Sequence, residues 1–299
     1  MSAYRWFYSA AALIVGLIET ILSSLGIDVM KTPILKSLPG ILDPREKQCN
    51  SNDSVNRAEV DYMAKLVDLW WNVDGIAKML HTFKQVRIPL VVDGLIETGR
   101  IEGTKRGRPD VLKGVRILDV GCGGGIMVED LAKLGATVVG IDPCEELILL
   151  ARKHLETQAP ELAVQYHRET VEEHVKVHGA IYDAIVCSEV MEHVDEKVPI
   201  LEACAKSLKP GGSMFVTTEN QTLVAWFVYI IVPEYVLNFI PRLCHFYEKF
   251  ISPAKISSML STFDCTTIGV KGYFYDRFDN SWTFVDDDRV NYGLHAVKA

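Results

Sequence analysis

The 299-residue sequence predicts an α/β fold of the Rossmann-like class: a mostly parallel, seven-stranded sheet with helices on both faces, preceded by an apolar N-terminal helix. Three observations predict it. From Val115 onward, short apolar runs alternate with segments of helical period, the pattern of βαβ units and a parallel sheet. A glycine loop, Asp119-Val120-Gly121-Cys122-Gly123-Gly124-Gly125, joins the first of these strands to its helix. An acid, Asp142, ends the next strand at the carboxyl edge, where open α/β sheets bind ligands.

The chain divides into three parts. Residues 1–38 form an apolar targeting or membrane-anchoring segment, 39–58 a polar, turn-rich linker, and 59–299 the α/β domain. Between Tyr8 and Leu25 the only charge is Glu19, and the length is borderline for crossing a bilayer. An uncleaved anchor and a processed leader both fit. A helix follows from Glu59 to about Trp71, with Val60, Met63, Leu66, Val67 and Trp70 at helical spacing. A second spans Arg87 to Thr98, with Pro89 in its first turn.

The predicted strands are VRILDVG, TVVGID, AVQYHR, YDAIVCSE, SMFVTT and a closing pair, TTIGVKGY and YGLHAVK. Helices follow the glycine loop, Pro143, the VEEHV segment and His193, and LKPGG is a turn. An insert at about 221–250 carries the nearly uncharged run 223–240, LVAWFVYIIVPEYVLNFI. Pro233 and Glu234 interrupt it and argue against a span. Its aromatic residues, with Arg242 and Lys249, suit a membrane interface, and a buried helix pair is the competing reading.

Composition narrows the function. A net charge of -8 lacks the basic field that nucleic-acid binding uses. The seven cysteines include no CxxC pair, so neither a disulfide framework nor a zinc site is indicated. They read as small buried hydrophobes in a reducing compartment.

Glycines in the loop permit positive φ and close approach of a ligand to the backbone. The spacing is GxGxG. A dinucleotide fingerprint would need Gly or Ala where Ile126 or Val128 stands, which counts against a nicotinamide enzyme. Asp142 could accept from the two vicinal hydroxyls of a ribose, or cap the helix after Pro143. Asp119 could brace the loop. Beyond the fourth strand, Glu189, Glu192 and His193 stand at i, i+3 and i+4. On a helix they would share one face toward the crevice. Two carboxylates and an imidazole could bind a divalent cation or act as a general base; a capped, solvated helix start is the plainer alternative.

The GxGxG loop resembles the first motif of class I methyltransferases. The chain from Glu59 onward is similar to the ubiquinone biosynthesis O-methyltransferases. The similarity rests on Trp70-Trp71 with Leu80-His81 and Arg87, on ILDVGCGGG (117–125), GATVVGID (135–142) and ETVEEH (169–174), and on SEVMEHV (188–194) and LKPGG (208–212). Pro233-Glu234-Tyr235, Lys249-Phe250 and Asn291-Tyr292 extend it.

The resemblance implies methyl transfer from S-adenosylmethionine to catechol hydroxyls of polyprenyl intermediates, a polyprenyl dihydroxybenzoate and a demethylubiquinol. It implies that Arg87, Gly121, Asp142 and Ser188 line the cofactor site, and that Glu189, Glu192 and His193 bind Mg²⁺ and are catalytic. His81 falls in a matching motif. The implied setting is the matrix side of the mitochondrial inner membrane, with the membrane surface and other ubiquinone-biosynthesis proteins as partners. Pro241-Arg242-Leu243-Cys244-His245 departs from the family's Lys-Gly-Thr-His turn. A methyltransferase of another lipid phenol and a catalytically inactive membrane-bound scaffold are the remaining readings.

Overall fold

In the parallel core, strands are buried on both faces, so their residues alternate between two apolar layers rather than between core and water. A computed structural model of the chain describes residues 14–17, 55–75, 77–236 and 246–299. Ile117 on β1 (Arg116–Val120) faces one layer, while Leu118 and Val120 face the other. On β4 (Tyr182–Ser188), Ala184 and Val186 oppose Ile185 and Cys187 in the same way.

The first layer packs on α3 (Lys84–Glu97), α4 (Ile126–Lys133) and α5 (Glu145–Gln158), through Val91, Leu95, Val128, Leu131 and Ile148. The second packs on α6 (Val171–His178), α7 (Lys197–Ser207) and α9 (Pro253–Ser261), through Val171, Ile200, Leu201, Ile256 and Leu260. Both faces are therefore covered, as the βα alternation predicted. All five described cysteines are buried and free.

Eight strands form the sheet, in the order β3-β2-β1-β4-β5-β8-β6-β7. β2 (Thr137–Asp142), β3 (Val164–Arg168), β1, β4 and β5 (Leu208–Glu219) are parallel neighbours. β8 (Asn291–Lys298) runs antiparallel to both β5 and β6 (Cys265–Asp276), and β7 (Ser281–Val285) runs antiparallel to β6. This corrects the expected count of seven strands, while the sheet is mostly parallel as expected, with β8, β6 and β7 as an antiparallel edge. β7 is a short edge strand closing a hairpin whose turn uses Asn280 at φ 53. Its Trp282 joins Tyr273 and Phe83 in a separate aromatic cluster. The LKPGG turn is an excursion inside β5: the register jumps from Tyr182↔Leu208 to Ala184↔Ser213.

Three helix boundaries differ from the sequence expectation. α1 (Arg57–Ala64) starts inside the expected linker, because the Asn56 side chain accepts from Glu59 N and caps it. It ends before Trp71, and Val67–Leu69 forms a separate 3₁₀ turn. α2 (Lys78–Thr82) runs through Phe83 directly into α3, so Pro89 lies in the second turn of α3 rather than the first. The predicted N-terminal apolar helix and most of the linker lie outside the described residues, apart from one helical turn at 14–17. Among the described residues no helix is long and apolar enough to cross a membrane.

The insert continues from α8 (Leu223–Trp226) into a π-helical stretch, Phe227–Val236. Much of it packs inward: Leu223, Ala225 and Ile230 form a cluster with Tyr247 and Phe250. Trp226, Phe227 and Tyr229 are half-buried. The Pro241–His245 departure falls outside the described residues.

Candidate active site at the carboxyl edge of the sheet

Strand order reverses between β1 and β4, and their diverging connections open a crevice there, with a cavity volume of about 150 Å³. One wall is the glycine loop. The N–H groups of Gly121 and Cys122 both donate to Ile141 O, at 2.9 and 3.0 Å, pinning the loop to β2. Gly121 takes φ 71, and a Cβ there would sit 2.5 Å from Val190 Cγ2. A Cβ at Gly123 would overlap the Trp70 indole, which covers the loop from the α1 side. Trp71 Nε1 donates to Gly124 O at 3.0 Å, and its ring stacks on His154.

Asp142 does not cap the following helix: α5 begins after Cys144, and no side chain makes a capping hydrogen bond there. The Asp142 carboxylate accepts from Gly123 N at 3.0 Å and from Cys144 N at 2.8 Å, and it also lines the crevice. Burial raises its pKa, against those two hydrogen bonds. Gly121 lines the crevice as well. Asp119 lies buried behind the loop, its carboxyl raised to about 7 by desolvation, against the attraction of Arg87. Arg87 is buried and outside the lining. Its Nη2 donates to Leu80 O, its Nε has no partner, and its guanidinium lies over the Phe83 ring. Ser188 is also behind the wall, hydrogen-bonded to Thr217 at 2.8 Å. His81 is taken up by Trp70 O at 3.0 Å.

The acidic wall departs from its expected geometry. Glu189 is not the start of a helix: its φ is 56, a left-handed conformation that costs a non-glycine residue energy. A 3₁₀ turn, Met191–His193, follows, and α7 begins only at Lys197. Glu189 and Glu192 still converge, through this kink and the end of β5 rather than through helical spacing, while His193 stands beside Glu192 and outside the close carboxylate set. Glu189 N donates to Thr217 O, and the hydroxyls of Thr217 and Tyr273 each donate to Glu189 Oε1 at 2.8 Å. Thr218 Oγ1 donates to Glu192 Oε2 at 2.8 Å. His193 Nδ1 lies 3.4 Å from Glu59 Oε2, and its Nε2 lies 3.9 Å from Glu192 Oε1. Glu59 in turn contacts Lys249, so α1 is latched onto the site.

Sequence reasoning missed one carboxylate here. Glu219, the last residue of β5, places an oxygen within 4.8 Å of oxygens of Glu189 and Glu192. The available signal was an acid ending an otherwise apolar strand at the ligand-binding edge. Burial raises Glu192, with Glu189 adding to the effect, and burial with both neighbours raises Glu219 well above the carboxylate range. For His193, burial works downward, but the Glu59 hydrogen bond and the Glu192 charge outweigh it, and its pKa is raised. An all-oxygen donor set that includes a buried oxygen without a partner, Glu219 Oε2, fits a hard divalent cation.

Comparison with known proteins identifies the family and the fold. Residues 118–216 match the methyltransferase domain family. The chain is 36% identical over 256 residues to the mitochondrial ubiquinone biosynthesis O-methyltransferase of Rattus norvegicus, covering 85% of this chain and 73% of that protein. It is 35% identical over 249 residues to the ubiquinone biosynthesis O-methyltransferase of Xanthomonas oryzae, covering 83% and 97%. Among solved structures, magnesium protoporphyrin IX methyltransferase from Synechocystis with bound SAH shares the fold, with TM-score 0.58 at 20% identity, over 82% of this chain and all of that one. The chain belongs to the ubiquinone biosynthesis O-methyltransferase family.

Proposed function

We propose that this S-adenosylmethionine-dependent O-methyltransferase methylates a catechol hydroxyl of polyprenyl intermediates in ubiquinone biosynthesis, a polyprenyl dihydroxybenzoate and a demethylubiquinol. The observation that carries the reading is the facing pair of walls in one crevice. A glycine loop with a ribose-ready carboxylate stands on one side; Glu189 and His193 stand on the other, with Glu192 and Glu219 buried outside the lining.

In the bound state S-adenosylmethionine supplies a sulfonium methyl for in-line displacement by oxygen. Asp142 holds the ribose hydroxyls with the acceptor capacity left after Gly123 and Cys144. Gly121 allows the ligand to lie against the loop backbone. Arg87 and Ser188 act from behind the walls, supporting the cofactor site rather than lining it. Of the expected Mg²⁺ set of Glu189, Glu192 and His193, the two carboxylates would hold the ion, His193 standing outside their close set; the ion would lower the pKa of a catechol hydroxyl and orient its oxygen. His193, oriented through Nδ1 by Glu59, takes the hydroxyl proton at Nε2. Trp70 and α1 exclude water from the reacting atoms.

We place the enzyme at the matrix side of the mitochondrial inner membrane, in company with other proteins of the pathway. Mammalian relatives are named as mitochondrial, and a polyprenyl acceptor resides in a bilayer. The half-buried Trp226 and Phe227 and the exposed Tyr62, Leu69 and Val73 support contact with a membrane surface. Ile230 is fully buried, so a polar residue there would test folding instead. Making Trp226 and Phe227 polar should reduce liposome flotation; unchanged flotation contradicts the membrane contact.

The reaction is tested with labelled S-adenosylmethionine and short-tailed acceptors. A demethylubiquinol analogue should be methylated much faster than the same ring with a single hydroxyl. Equal rates would contradict catechol recognition.

A further inference from the structure

Resting on the cation reading above, we propose that Glu219 is a third carboxylate ligand, completing with Glu189 and Glu192 a site for one hard divalent cation. Glu219 is 3% exposed, and its Oε2 has no hydrogen-bond partner. Its backbone is fixed, since Glu219 pairs with Asn291 on β8 and its carbonyl accepts from Ile251 N at 3.3 Å. The side chain is thus held where its oxygens meet those of Glu189 and Glu192.

The two preceding residues of the same strand show what an orienting shell looks like. Thr217 and Thr218 each donate to one of the other two carboxylates, fixing the rotamers of those ligands. Glu219 receives no such bond at Oε2. The charges acting most strongly on it are the other two carboxylates, both repulsive. A buried acid with an unmet oxygen and like-charged neighbours is costly, and a divalent cation answers both deficits at once. With the acids filling three places, His193 is left to Glu59 and to the acceptor proton.

A second cluster shows the contrast. Glu169, His174 and His178 also offer ligand atoms within 4.8 Å of one another. There both nitrogens of His174 are occupied, by Glu169 at 2.7 Å and by Tyr182 Oη at 2.7 Å, so that group is a closed network.

Mn²⁺ is the probe, followed by electron paramagnetic resonance on the full chain, with S-adenosylhomocysteine binding measured beside it by calorimetry. The wild-type protein should bind one Mn²⁺, displaced by Mg²⁺. Glu219→Gln and Glu219→Leu should each weaken Mn²⁺ at least about 10-fold, while S-adenosylhomocysteine binding stays unchanged. In chelator, Glu219→Leu should melt above wild type, because an unmet buried acid has been replaced by an apolar side chain. Wild-type Mn²⁺ affinity in both variants would overturn the Glu219 assignment and leave a cation on Glu189 and Glu192. Failure of the wild-type protein to bind Mn²⁺, with S-adenosylhomocysteine still bound, would overturn the cation reading itself and not the methyltransferase. A chelator melting point lowered by Glu219→Leu, with Mn²⁺ affinity kept, would mark Glu219 as a structural acid.

Discussion

The two walls of the crevice are built from different materials. At the ends of β1 and β2 the wall is backbone: a loop pinned by Ile141 O and braced by Asp142, with glycines where a side chain would strike Val190 or Trp70. At the ends of β4 and β5 the wall is side chain: carboxylates crowded around a left-handed Glu189 and steadied by threonine and tyrosine hydroxyls. The first wall is held in place within the chain, by the Ile141 carbonyl and the Asp142 carboxylate. The second crowds carboxylates out of water, and the cation proposed above would supply their counter-charge. Cofactor binding and acceptor activation are therefore separable by mutation.

The largest expected effect separates them outright. Glu192→Ala should lower turnover about 10²–10⁴-fold, the scale of losing acid–base or cation assistance, with S-adenosylhomocysteine affinity nearly intact by calorimetry. Equal loss of both would merge the two walls into one structural unit. Asp142→Ala is the converse. Losing charge-assisted hydrogen bonds worth roughly 1.5–3 kcal/mol should weaken S-adenosylhomocysteine about 10–100-fold and leave Mn²⁺ binding unchanged.

A control behind both walls is His295, stacked on Phe215 and hydrogen-bonded to Ser213. Desolvation pulls its pKa down to about 4, so the folded state keeps it neutral while the unfolded chain protonates near pH 6.5. More protons are then bound by the unfolded state between those values, and stability falls as pH drops through that window. The loss is up to roughly 3 kcal/mol at its lower end. His295→Gln should remove this acid sensitivity in denaturant titrations and shift neither ligand affinity. The smallest effect belongs to Thr218→Val, which frees Glu192 Oε2 and should weaken Mn²⁺ about tenfold, again sparing the cofactor.

The same contrast governs what could be read from the sequence. Strands β1, β2, β4 and β5 were legible because burial on both faces makes them continuous apolar runs, and the glycine loop because close approach demands one residue type. Asp142 followed from its place at a strand end. β7 was missed because an Asp-Asn turn and an aromatic edge strand carry no long apolar run. The acidic wall was legible only in part. The residues Glu189, Glu192 and His193 stood out, but helical spacing was the wrong reason for their meeting, since a positive φ at glutamate leaves no mark in composition. Glu219 and Glu59 belong to no local motif; they reach the site through the register of β5 and the capping of α1 by Asn56.

The most direct test runs cofactor binding and methyl transfer on one wild-type preparation, first in chelator and then with Mg²⁺ restored. The account predicts S-adenosylhomocysteine bound equally in both conditions, with methyl transfer to a short-tailed catechol lost in chelator and recovered with Mg²⁺. Full transfer in chelator would contradict it, because the crowded carboxylates would then be working without the cation proposed for them.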